Sequence, residues 1–564
     1  MIFIVSALVF LCSYSIGSAQ TYAPLPIPAA LKGPECTLKI ADTFAQLRSG
    51  NQTITGGING HSFWGPTIFV NKGDTVKMTV INNLNDSTTL HWHGLHLPAV
   101  MDGGPHQVIP PGTIWKPYWK VKNNAATYWY HPHLHEMTLE HVSKGIGGFL
   151  IVNDEQESAL PLPRTYGIDD IPLVFTSRRY DANNQFTVQN TAYGDYLLAN
   201  GVHNAQYTFP KQIVRLRILN AEIERSYNIG FSDDRTFYVI GTDGGLKEKP
   251  LPVKRLHIAV GERYEILVDC TKDVLGTSID LMAYNANQPF GFPGGEPAPN
   301  GPFGSLLNNK NFTMLHINIG ESKTNPIISI PETLIPFSQI DAASATGSQD
   351  IRVMGGVPNT PTPFHFSGGI FNISRVDKSI PMNSTQTWTV TNSNVFGHTF
   401  HIHDVQFNII ARNGNASSVG DHEKGWKDVL YLPRNESATF IARFDDYADP
   451  LHPFMYHCHF SNHEDGGMMQ QFVVVSPSTI QEEVADFSAV QVYPNPANDI
   501  ITIDSKNIEL YYVSIHNVNG KTVMMLPQPE KDIPINISSL AKGFYTMRLT
   551  DMKTKQVIVR SFVK

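Results

Sequence analysis

The residues of this chain most suited to chemistry are four histidine pairs of the form His-x-His. They are His91 and His93, His131 and His133, His401 and His403, and His457 and His459. Residues two apart in a β-strand project from the same face, so each pair directs two imidazoles towards one place. Four clustered pairs are not easily accidental and predict a metal centre. Imidazole binds copper, iron and zinc, so the pairs alone leave the metal open.

The segment HCHFSNHEDGGMM, residues 457–469, contains the cysteine that narrows the choice of metal. Cys458 lies between two histidines of the last pair, so in a strand it must project from the opposite face. The same parity places His398 on the other side of its strand from the third pair. Cys458, His398 and the loop residue His463 can then form a second site, with Met468 as a weak axial ligand. This is a blue-copper ligand set, whose soft thiolate selects copper over zinc or iron.

The two predicted sites are joined through the chain itself. Cys458 is flanked on both sides by histidines of the other cluster. An electron that enters at Cys458 has a short through-bond path to His457 and His459. This arrangement favours electron relay over metal storage.

These side chains must be positioned by β-strands, because two-residue alternation dominates the sequence. Val76, Met78 and Val80 alternate with polar residues, and the segment 214–218 alternates valine, leucine and isoleucine with arginine. Glycine and proline recur throughout, and long runs at helical spacing are scarce. The sequence therefore predicts an all-β chain.

Three stretches repeat one plan, which indicates repeated domains. They are VKMTVIN (76–82), VRLRILN (214–220) and TQTWTVTN (385–392), each an alternating strand closed by an asparagine. Histidine pairs follow the first and third stretches, whereas Ser226-Tyr227-Asn228 follows the second. At 564 residues the chain is too long for one core. We predict three β-sandwich domains over residues 20–160, 161–340 and 341–477, of which the second has no metal ligands.

The second predicted domain contains a proline- and glycine-rich stretch, QPFGFPGGEPAPNGPFG, at residues 288–304. We interpret it as a long surface loop. Loops of this length are either functional or mobile, and the sequence does not decide between the two.

Both ends of the chain differ from the repeats. Residues 1–19 form an apolar stretch with small residues before Gln20, which predicts a secretory signal peptide. Because the usual basic residues are missing, a retained membrane anchor is the alternative. No later segment has the apolar length needed to cross a bilayer. Residues 478–490 read as a polar linker and residues 491–564 as a small β-rich module with a turn at Asn519-Gly520.

Composition limits the partners and the redox environment. The net charge is −8, 16% of residues are charged, and no run of basic residues stands out, which argues against a nucleic-acid partner. After removal of the signal peptide, Cys36, Cys270 and Cys458 remain. An odd count in an exported protein requires that one thiol have another role. Cys36 and Cys270 form either a disulfide or two buried thiols.

Four segments resemble the copper signatures of the multicopper oxidase family, which includes laccases, cuprous oxidases and bilirubin oxidases. The segments are HWHG, WYHPHLH, HTFHIH and HCHxxxHxxxxM, and the resemblance covers roughly residues 40–476. It implies three cupredoxin-like Greek-key β-sandwiches with a trinuclear copper site between the first and third. Thr399 stands where the family usually has proline, and no ligand is affected.

The resemblance also implies a ligand set for each copper. The type 1 copper is held by His398, Cys458, His463 and Met468. The type 2 copper is held by His91 and His401. The paired type 3 coppers are held by His93, His131, His133, His403, His457 and His459.

The implied reaction is one-electron oxidation of a small donor coupled to reduction of dioxygen to water. The donor docks near His463, and methionine at the axial position favours phenols and aromatic amines. Because dioxygen reduction consumes protons, nearby carboxylates are expected to donate them. Asp102 and Glu464 match acidic positions with this role in relatives; the alternative for each is a solvated loop carboxylate.

Two other functions remain open. A cuprous oxidase usually carries a methionine-rich insertion near the type 1 site, and only Met354 and Met382 occur between Ile351 and His398. A copper-free scaffold of the same fold would have lost ligands, whereas this chain has a candidate at every ligand position.

The C-terminal module resembles the sorting domain read by the type IX secretion machinery. The resemblance lies in VYPNPANDIITI, NVNGKTV and SSLAKGFYTMRLTD. It implies passage through the periplasm and outer membrane, then release or attachment at the cell surface. A structural or carbohydrate-binding appendage is the alternative.

Overall fold

The computed structural model describes residues 21–188, 192–297, 303–356, 363–476, 490–504, 510–518, 522–527, 534–551 and 557–564. The predicted signal peptide, the Asn519-Gly520 turn, nearly all of the predicted linker and part of the 288–304 loop lie outside these residues. The described residues are predominantly β-strand, which confirms the all-β fold class. The chain divides into two compact units, the first with residues 1–371, 383–447 and 454–472, the second with residues 372–382, 448–453 and 473–564.

The first sandwich supplies two of the histidine pairs. Its sequence folds into strands because alternate residues face the core, as Val76, Met78 and Val80 do in the sixth strand. One sheet contains the second, fifth, eleventh, tenth and seventh strands in that order, and the other the fourth, third, sixth and eighth, with the ninth also on the sixth. The elements up to residue 158 are β1 (Ala23–Pro24), which joins a sheet of the second sandwich, and then β2 (Ala30–Lys32), β3 (Glu35–Ala45), β4 (Thr53–Ile58), β5 (Thr67–Asn71), β6 (Thr75–Asn82), β7 (His91–His93), β8 (Ile114–Trp115), β9 (Tyr118–Lys120), β10 (Ala126–His131), α1 (Thr138–Ser143), β11 (Gly148–Asn153) and α2 (Glu155–Ser158).

The second sandwich has two six-stranded sheets. One is ordered β1, fourteenth, twenty-second, twenty-first, sixteenth and nineteenth strand, and the other thirteenth, twelfth, fifteenth, twentieth, seventeenth and eighteenth. Its core includes Leu216, Ile229 and Ile266. The strands are β12 (Asp170–Arg178), β13 (Tyr196–Ala199), β14 (Ala205–Pro210), β15 (Ile213–Asn220), β16 (Tyr227–Phe231), β17 (Phe237–Thr242), β18 (Gly245–Val253), β19 (Leu256–Ile258), β20 (Arg263–Asp269), β21 (Ser278–Tyr284) and β22 (Asn311–Gly320).

The third sandwich carries the remaining two histidine pairs and Cys458. The buried indole of Trp388 stacks on Phe440 with ring centroids 6.0 Å apart, and Tyr456 packs against Phe400. One sheet is ordered twenty-fourth, twenty-third, twenty-sixth, thirtieth and twenty-eighth strand; in the other, the twenty-seventh strand lies between the thirty-first and twenty-ninth. The elements are β23 (Gly347–Met354), β24 (His365–Phe366), β25 (Lys378–Pro381), β26 (Ser384–Asn392), β27 (His398–Ile402), β28 (Phe407–Arg412), β29 (Val429–Leu432), β30 (Glu436–Phe444), β31 (Asp449–Cys458), α3 (Ser461–Asp465) and β32 (Met469–Val475).

The C-terminal module contains two small sheets around a core that includes Ile501, Val513 and Leu549. The thirty-fourth strand lies between the thirty-third and thirty-seventh, and the other sheet is ordered thirty-sixth, thirty-fifth, thirty-eighth and thirty-ninth. The strands are β33 (Gln491–Tyr493), β34 (Ile500–Asp504), β35 (Leu510–Asn517), β36 (Thr522–Pro527), β37 (Ile535–Asn536), β38 (Phe544–Asp551) and β39 (Val557–Val563). Among the helices of the described residues, none has the length and apolar character needed to span a membrane.

The cysteine alternatives are resolved in favour of free thiols. Cys36 lies in the first sandwich and Cys270 in the second, and both are buried and unbonded. Burial raises the pKa of Cys270 to about 12, so this thiol is protonated at neutral pH.

Both faces of β15 are buried, which its alternating pattern did not reveal. Arg215 and Arg217, which alternate with the apolar residues, lie in a buried ion-pair network. Arg215 donates to Glu157 over 2.7 Å and also pairs with Glu265, while Arg217 donates to Glu265 over 2.9 Å and to Asp170 over 2.7 Å. Burial acts to raise the pKa of Glu265, but the two arginines lower it to about 2.

We expect the Glu265→Gln substitution to lower the free energy of unfolding of the second sandwich by about 3–5 kcal/mol at pH 7, because it breaks a buried ion-pair network. The pKa of Glu265 is depressed from 4.5 to about 2 on folding, so its contribution is present above pH 4.5. The difference from wild type should shrink as the pH falls towards about 2. Denaturant unfolding at several pH values measures both effects.

The matched control is Glu35→Gln, which removes an exposed ion pair with Lys77. It should change stability by only about 0–1 kcal/mol. Equal effects of the two substitutions would contradict the buried-network interpretation.

Candidate metal centre

The histidine pairs are brought together by the pairing of neighbouring strands. In the first sandwich, β7 and β10 pair so that His91 lies opposite His131. In the third sandwich, β27 and β31 pair so that His401 lies opposite His457. All eight histidines of the four pairs are buried in one cluster, which we call the histidine cluster.

Oxygen atoms around the histidine cluster orient most of its rings. In seven of the eight rings, one nitrogen lies 2.7–3.2 Å from a carbonyl or carboxylate oxygen, which fixes the orientation of the ring. The oxygens are the Asp102 carbonyl for His91, Asp428 Oδ1 for His93, the Pro132 carbonyl for His131, Glu464 for His133 and His457, the Asp428 carbonyl for His401, and Asp102 Oδ2 for His403.

The remaining ring nitrogens face one another inside the cluster. His133 Nε2 and His403 Nε2 lie 3.1 and 3.3 Å from His457 Nε2. Within the described residues, the buried Nε2 atoms of His91 and His401 have no hydrogen-bond partner. Converging lone pairs without donors are unfavourable unless a cation lies between them, so this interior fits bound metal ions.

The protonation state of the rings also suits metal binding. Burial and the neighbouring His91 lower the pKa of His131 to about 3. Burial and adjacent imidazoles likewise hold the pKa values of His401 and His403 well below the usual range. These rings are therefore neutral at physiological pH, as metal ligation requires.

A second site lies around Cys458 on the opposite face of β31. Cys458 Sγ is 3.7 Å from His398 Nδ1 and 3.7 Å from His463 Nδ1. Met468 is buried, and its carbonyl accepts a hydrogen bond from the Cys458 amide over 3.0 Å. Burial raises the pKa of the Cys458 thiol to about 12, so without a cation it is protonated. The nitrogen, nitrogen and sulfur donors converge as a soft-metal site requires.

His463, which the sequence analysis expected in a loop, lies instead in the short helix α3, beside groups that the sequence did not single out. The Phe364 ring lies 4.4 Å from the His463 ring and 4.9 Å from the His398 ring, between centroids. The buried Glu224 carboxylate of the second sandwich lies 3.7 Å from His463 Nε2 and accepts a hydrogen bond from Asn462. Burial raises the pKa of Glu224 to about 8.

Asp102 and Glu464 are both buried against the histidine cluster rather than solvated. Asp102 Oδ2 accepts a hydrogen bond from His403 Nδ1 over 2.7 Å. Glu464 lies 3.1 Å from His133 and 3.2 Å from His457. Burial acts to raise the pKa of Glu464, but these two imidazoles hold it well below the usual range.

Sequence reasoning missed Asp428, which is also buried against the cluster. Its carboxylate contacts His93 and its carbonyl contacts His401. The signal that could have found Asp428 is its position next to Val429, which pairs with His401 between β27 and β29. That pairing is known only from the strand register of the structure.

Comparison with protein families places this architecture among copper proteins. Multicopper oxidase models match residues 40–157, 178–277 and 345–478, and a secretion system C-terminal sorting domain model matches residues 491–564. The chain belongs to the multicopper oxidase family and ends in a sorting domain of the secretion system type. Membership of the family implies copper as the metal, and the sorting domain implies export to the cell surface or the medium.

Similar proteins include both oxidases and proteins named for another role. The cell division protein FtsP of Xenorhabdus nematophila is 32% identical over 80% of this chain and 92% of its own length. The multicopper oxidase mco of Staphylococcus aureus is 30% identical over 78% of this chain and 88% of its own length. A solved structure with a TM-score of 0.71 is that of a laccase-like multicopper oxidase CueO from the lignin-degrading bacterium Ochrobactrum sp.. It is described as active towards lignin model compounds and lignosulfonate, and it is 32% identical, with the match covering 80% of this chain and 100% of its own.

The close approach of Gly103 to Leu90, which immediately precedes β7 and its histidine pair, gives a test of this site. A Cβ atom on Gly103 would lie 1.9 Å from the Leu90 carbonyl oxygen, directly before His91, and its φ is +79°. We expect Gly103→Ala to displace Leu90 and β7 and so to weaken copper binding by the histidine cluster. Copper content and thermal unfolding measure the effect.

Gly60→Ala is the matched control, because Gly60 has φ +83° and open space around its Cβ position. It should cost only the backbone strain of about 1–2 kcal/mol and leave copper content unchanged. Similar behaviour of the two variants would show that the Leu90 contact is unimportant.

Proposed function

We propose that this chain is a laccase-like oxidase that takes single electrons from phenolic or aromatic amine donors and uses them to reduce dioxygen to water. The observation that carries the proposal is the Cys458 site, whose cysteine is covalently bonded to two members of the histidine cluster. The similarity to an oxidase described as active on lignin model compounds supports the choice of aromatic donors.

The ligand assignment of the proposal follows the two groups of converging atoms. His398, Cys458, His463 and Met468 would hold a type 1 copper. His91 and His401 would hold a type 2 copper. His93, His131, His133, His403, His457 and His459 would hold the paired type 3 coppers. All of these residues except His459 and Met468 belong to sets of three whose ligand atoms lie within 4.8 Å of one another, which supports metal binding at the two sites.

Bound copper supplies the redox chemistry, in which each donor molecule loses one electron and dioxygen is reduced to water. The protein's part is orientation and exclusion of water. His463 lies beside the half-buried residues Phe364 and Asn462, so the donor would dock at its edge. The Cys458–His457 and Cys458–His459 peptide units provide the shortest connection between the two sites.

Replacing Cys458 with serine should abolish both colour and catalysis. We expect wild-type protein loaded with Cu(II) to absorb strongly at about 600 nm, where copper–thiolate sites absorb, and to consume oxygen with dimethoxyphenol. Cys458→Ser should bind one copper fewer, lose the absorption and lose oxygen uptake. Cys270→Ser, at an equally buried free thiol, should retain all three properties.

The same assays separate the competing functions. Rapid Cu(I) oxidation with negligible dimethoxyphenol turnover would favour a cuprous oxidase. A colourless wild-type protein after copper loading would favour a copper-free scaffold. The similarity to cell division proteins gives the scaffold its support, but the complete set of candidate ligands in this chain favours an enzyme.

Asp102 and Glu464 are proposed to supply protons to the reduction of dioxygen. Their support is burial and contact with the rings of His403, His133 and His457. We expect Asp102→Asn and Glu464→Gln to slow oxygen turnover by about 10²- to 10⁴-fold. The exposed Asp86→Asn variant is the control.

Anaerobic reduction of copper at the Cys458 site by the donor should keep its wild-type rate in the Asp102 and Glu464 variants, because this step needs no proton at the histidine cluster. Stopped-flow bleaching of the visible band measures this step. Equal slowing of bleaching and oxygen uptake would mean that the carboxylates have only a structural role.

The sorting domain supports a reaction that takes place outside the cell. We propose that the chain passes through the periplasm, that the type IX secretion machinery reads residues 491–564, and that the enzyme acts after release or while attached to the surface. Donors would then reach it without crossing a membrane.

A further inference from the structure

We propose that the second sandwich, which contributes no copper ligand, positions the histidine cluster through Arg263 and Asp428. This inference rests on the proposed ligand set, because it assigns a task to residues around those ligands. Arg263 opens β20 of the second sandwich, and Asp428 immediately precedes β29 of the third. Both side chains are fully buried.

Arg263 uses every donor of its guanidinium to join the three sandwiches. Nη1 and Nη2 each donate to one Asp428 carboxylate oxygen over 2.6 Å. Nε donates to the Thr127 carbonyl in β10 of the first sandwich over 3.0 Å. The two remaining N–H groups donate to the carbonyls of Gly261 and Asp243 in the second, each over 3.0 Å. A planar guanidinium so bound has one orientation, and that orientation fixes Asp428.

Asp428 transmits this orientation to two rings of the histidine cluster. His93 Nε2 donates to Asp428 Oδ1 over 3.2 Å, and His401 Nδ1 donates to the Asp428 carbonyl over 2.7 Å. With its Nε2 bound, His93 presents Nδ1 to the interior, 3.2 Å from His459 Nε2. Gln406 Nε2 donates to Asp428 Oδ2 over 2.8 Å.

The hydrogen bonds of Asp428 identify it as a positioning residue rather than a further ligand. Each carboxylate oxygen accepts two hydrogen bonds: Oδ1 from Arg263 and His93, and Oδ2 from Arg263 and Gln406. A carboxylate has about four lone-pair positions, so none remains for a metal ion. A carboxylate that accepts from the distal nitrogen of a ligating histidine sets the orientation of that ring.

The neighbouring charges keep the Arg263–Asp428 pair in place. Lys427 Nζ lies 2.9 Å from Asp243 and 2.7 Å from Glu262, both of the second sandwich. These groups are buried, and removal of one member of a buried ion pair is costly. The interface between the second and third sandwiches thus resists rearrangement at the residue that orients His93.

The competing interpretation is that Arg263 only stabilises the fold. Arg215 provides the comparison, because it is equally buried in the adjacent strand β15 and pairs with Glu157 and Glu265. Within the described residues, the side-chain hydrogen bonds of Arg215 go to Glu157 and Glu265 and not to a histidine of the cluster.

The experiment compares Asp428→Asn and Arg263→Lys with wild type and with Arg215→Lys. Metal-free protein is titrated with Cu(II) against a competing chelator. The visible copper–thiolate band reports the Cys458 site, total copper per chain reports both sites, and thermal unfolding of the metal-free proteins reports stability. Asp428→Asn preserves the shape of the side chain. If Arg263→Lys does not fold, the result with Asp428→Asn alone tests the inference.

We expect Asp428→Asn and Arg263→Lys to weaken copper binding by the histidine cluster about 10- to 100-fold while the visible band titrates as in wild type. Arg215→Lys should lose stability to a similar extent and bind copper normally. Wild-type affinity of the cluster in Asp428→Asn, or equal copper loss in Arg215→Lys, would overturn the inference. A wild-type protein without the visible band would instead overturn the proposed function.

Discussion

The structure depends on the burial of eight imidazoles in one place, with neutral nitrogens facing inwards. Such an interior is unfavourable for a metal-free protein, because buried nitrogens such as His91 Nε2 and His401 Nε2 lack hydrogen-bond partners among the described residues. Metal binding converts this cost into stabilisation, since seven of the eight rings already have one nitrogen beside a carbonyl or carboxylate oxygen. The strands that supply the rings therefore gain their final stability from the ligand that they bind.

Alternation along β31 lets a single strand serve two sites with different chemistry. The ring of His457 faces the nitrogen-rich cluster, while the Cys458 thiol faces His398 and His463. The two sites differ in the softness of their donor atoms. The thiolate and imidazoles of the Cys458 site favour a redox-active copper, whereas the imidazoles of the histidine cluster accept several metals. The peptide bond between the two residues makes their distance independent of domain motion.

Much of the site was accessible from the sequence because its information is local. Strand parity is enough to separate Cys458 from its neighbours, and the repeated strand plan predicts which sandwiches carry histidines. Asp428 and His93 are in contact but lie 335 residues apart in the sequence, so no local spacing rule could have predicted their contact. The buried Arg215 and Arg217 were equally hidden, because alternation identifies two faces of a strand but not what covers the second face.

The comparisons show why side chains and not the fold must decide the function. Proteins named for cell division and proteins named as oxidases match this chain at nearly equal identity, 32% and 30%, over similar shares of its length. The sandwich architecture is common to both, so similarity of fold carries no information about catalysis. What distinguishes the possibilities is whether each ligand position holds a donor atom with an oriented ring. In this chain the His398, Cys458 and His463 donors converge, and the cluster histidines do so independently. Two separate sets of buried donors are costly to maintain in a protein that binds no metal, and this cost favours an enzyme.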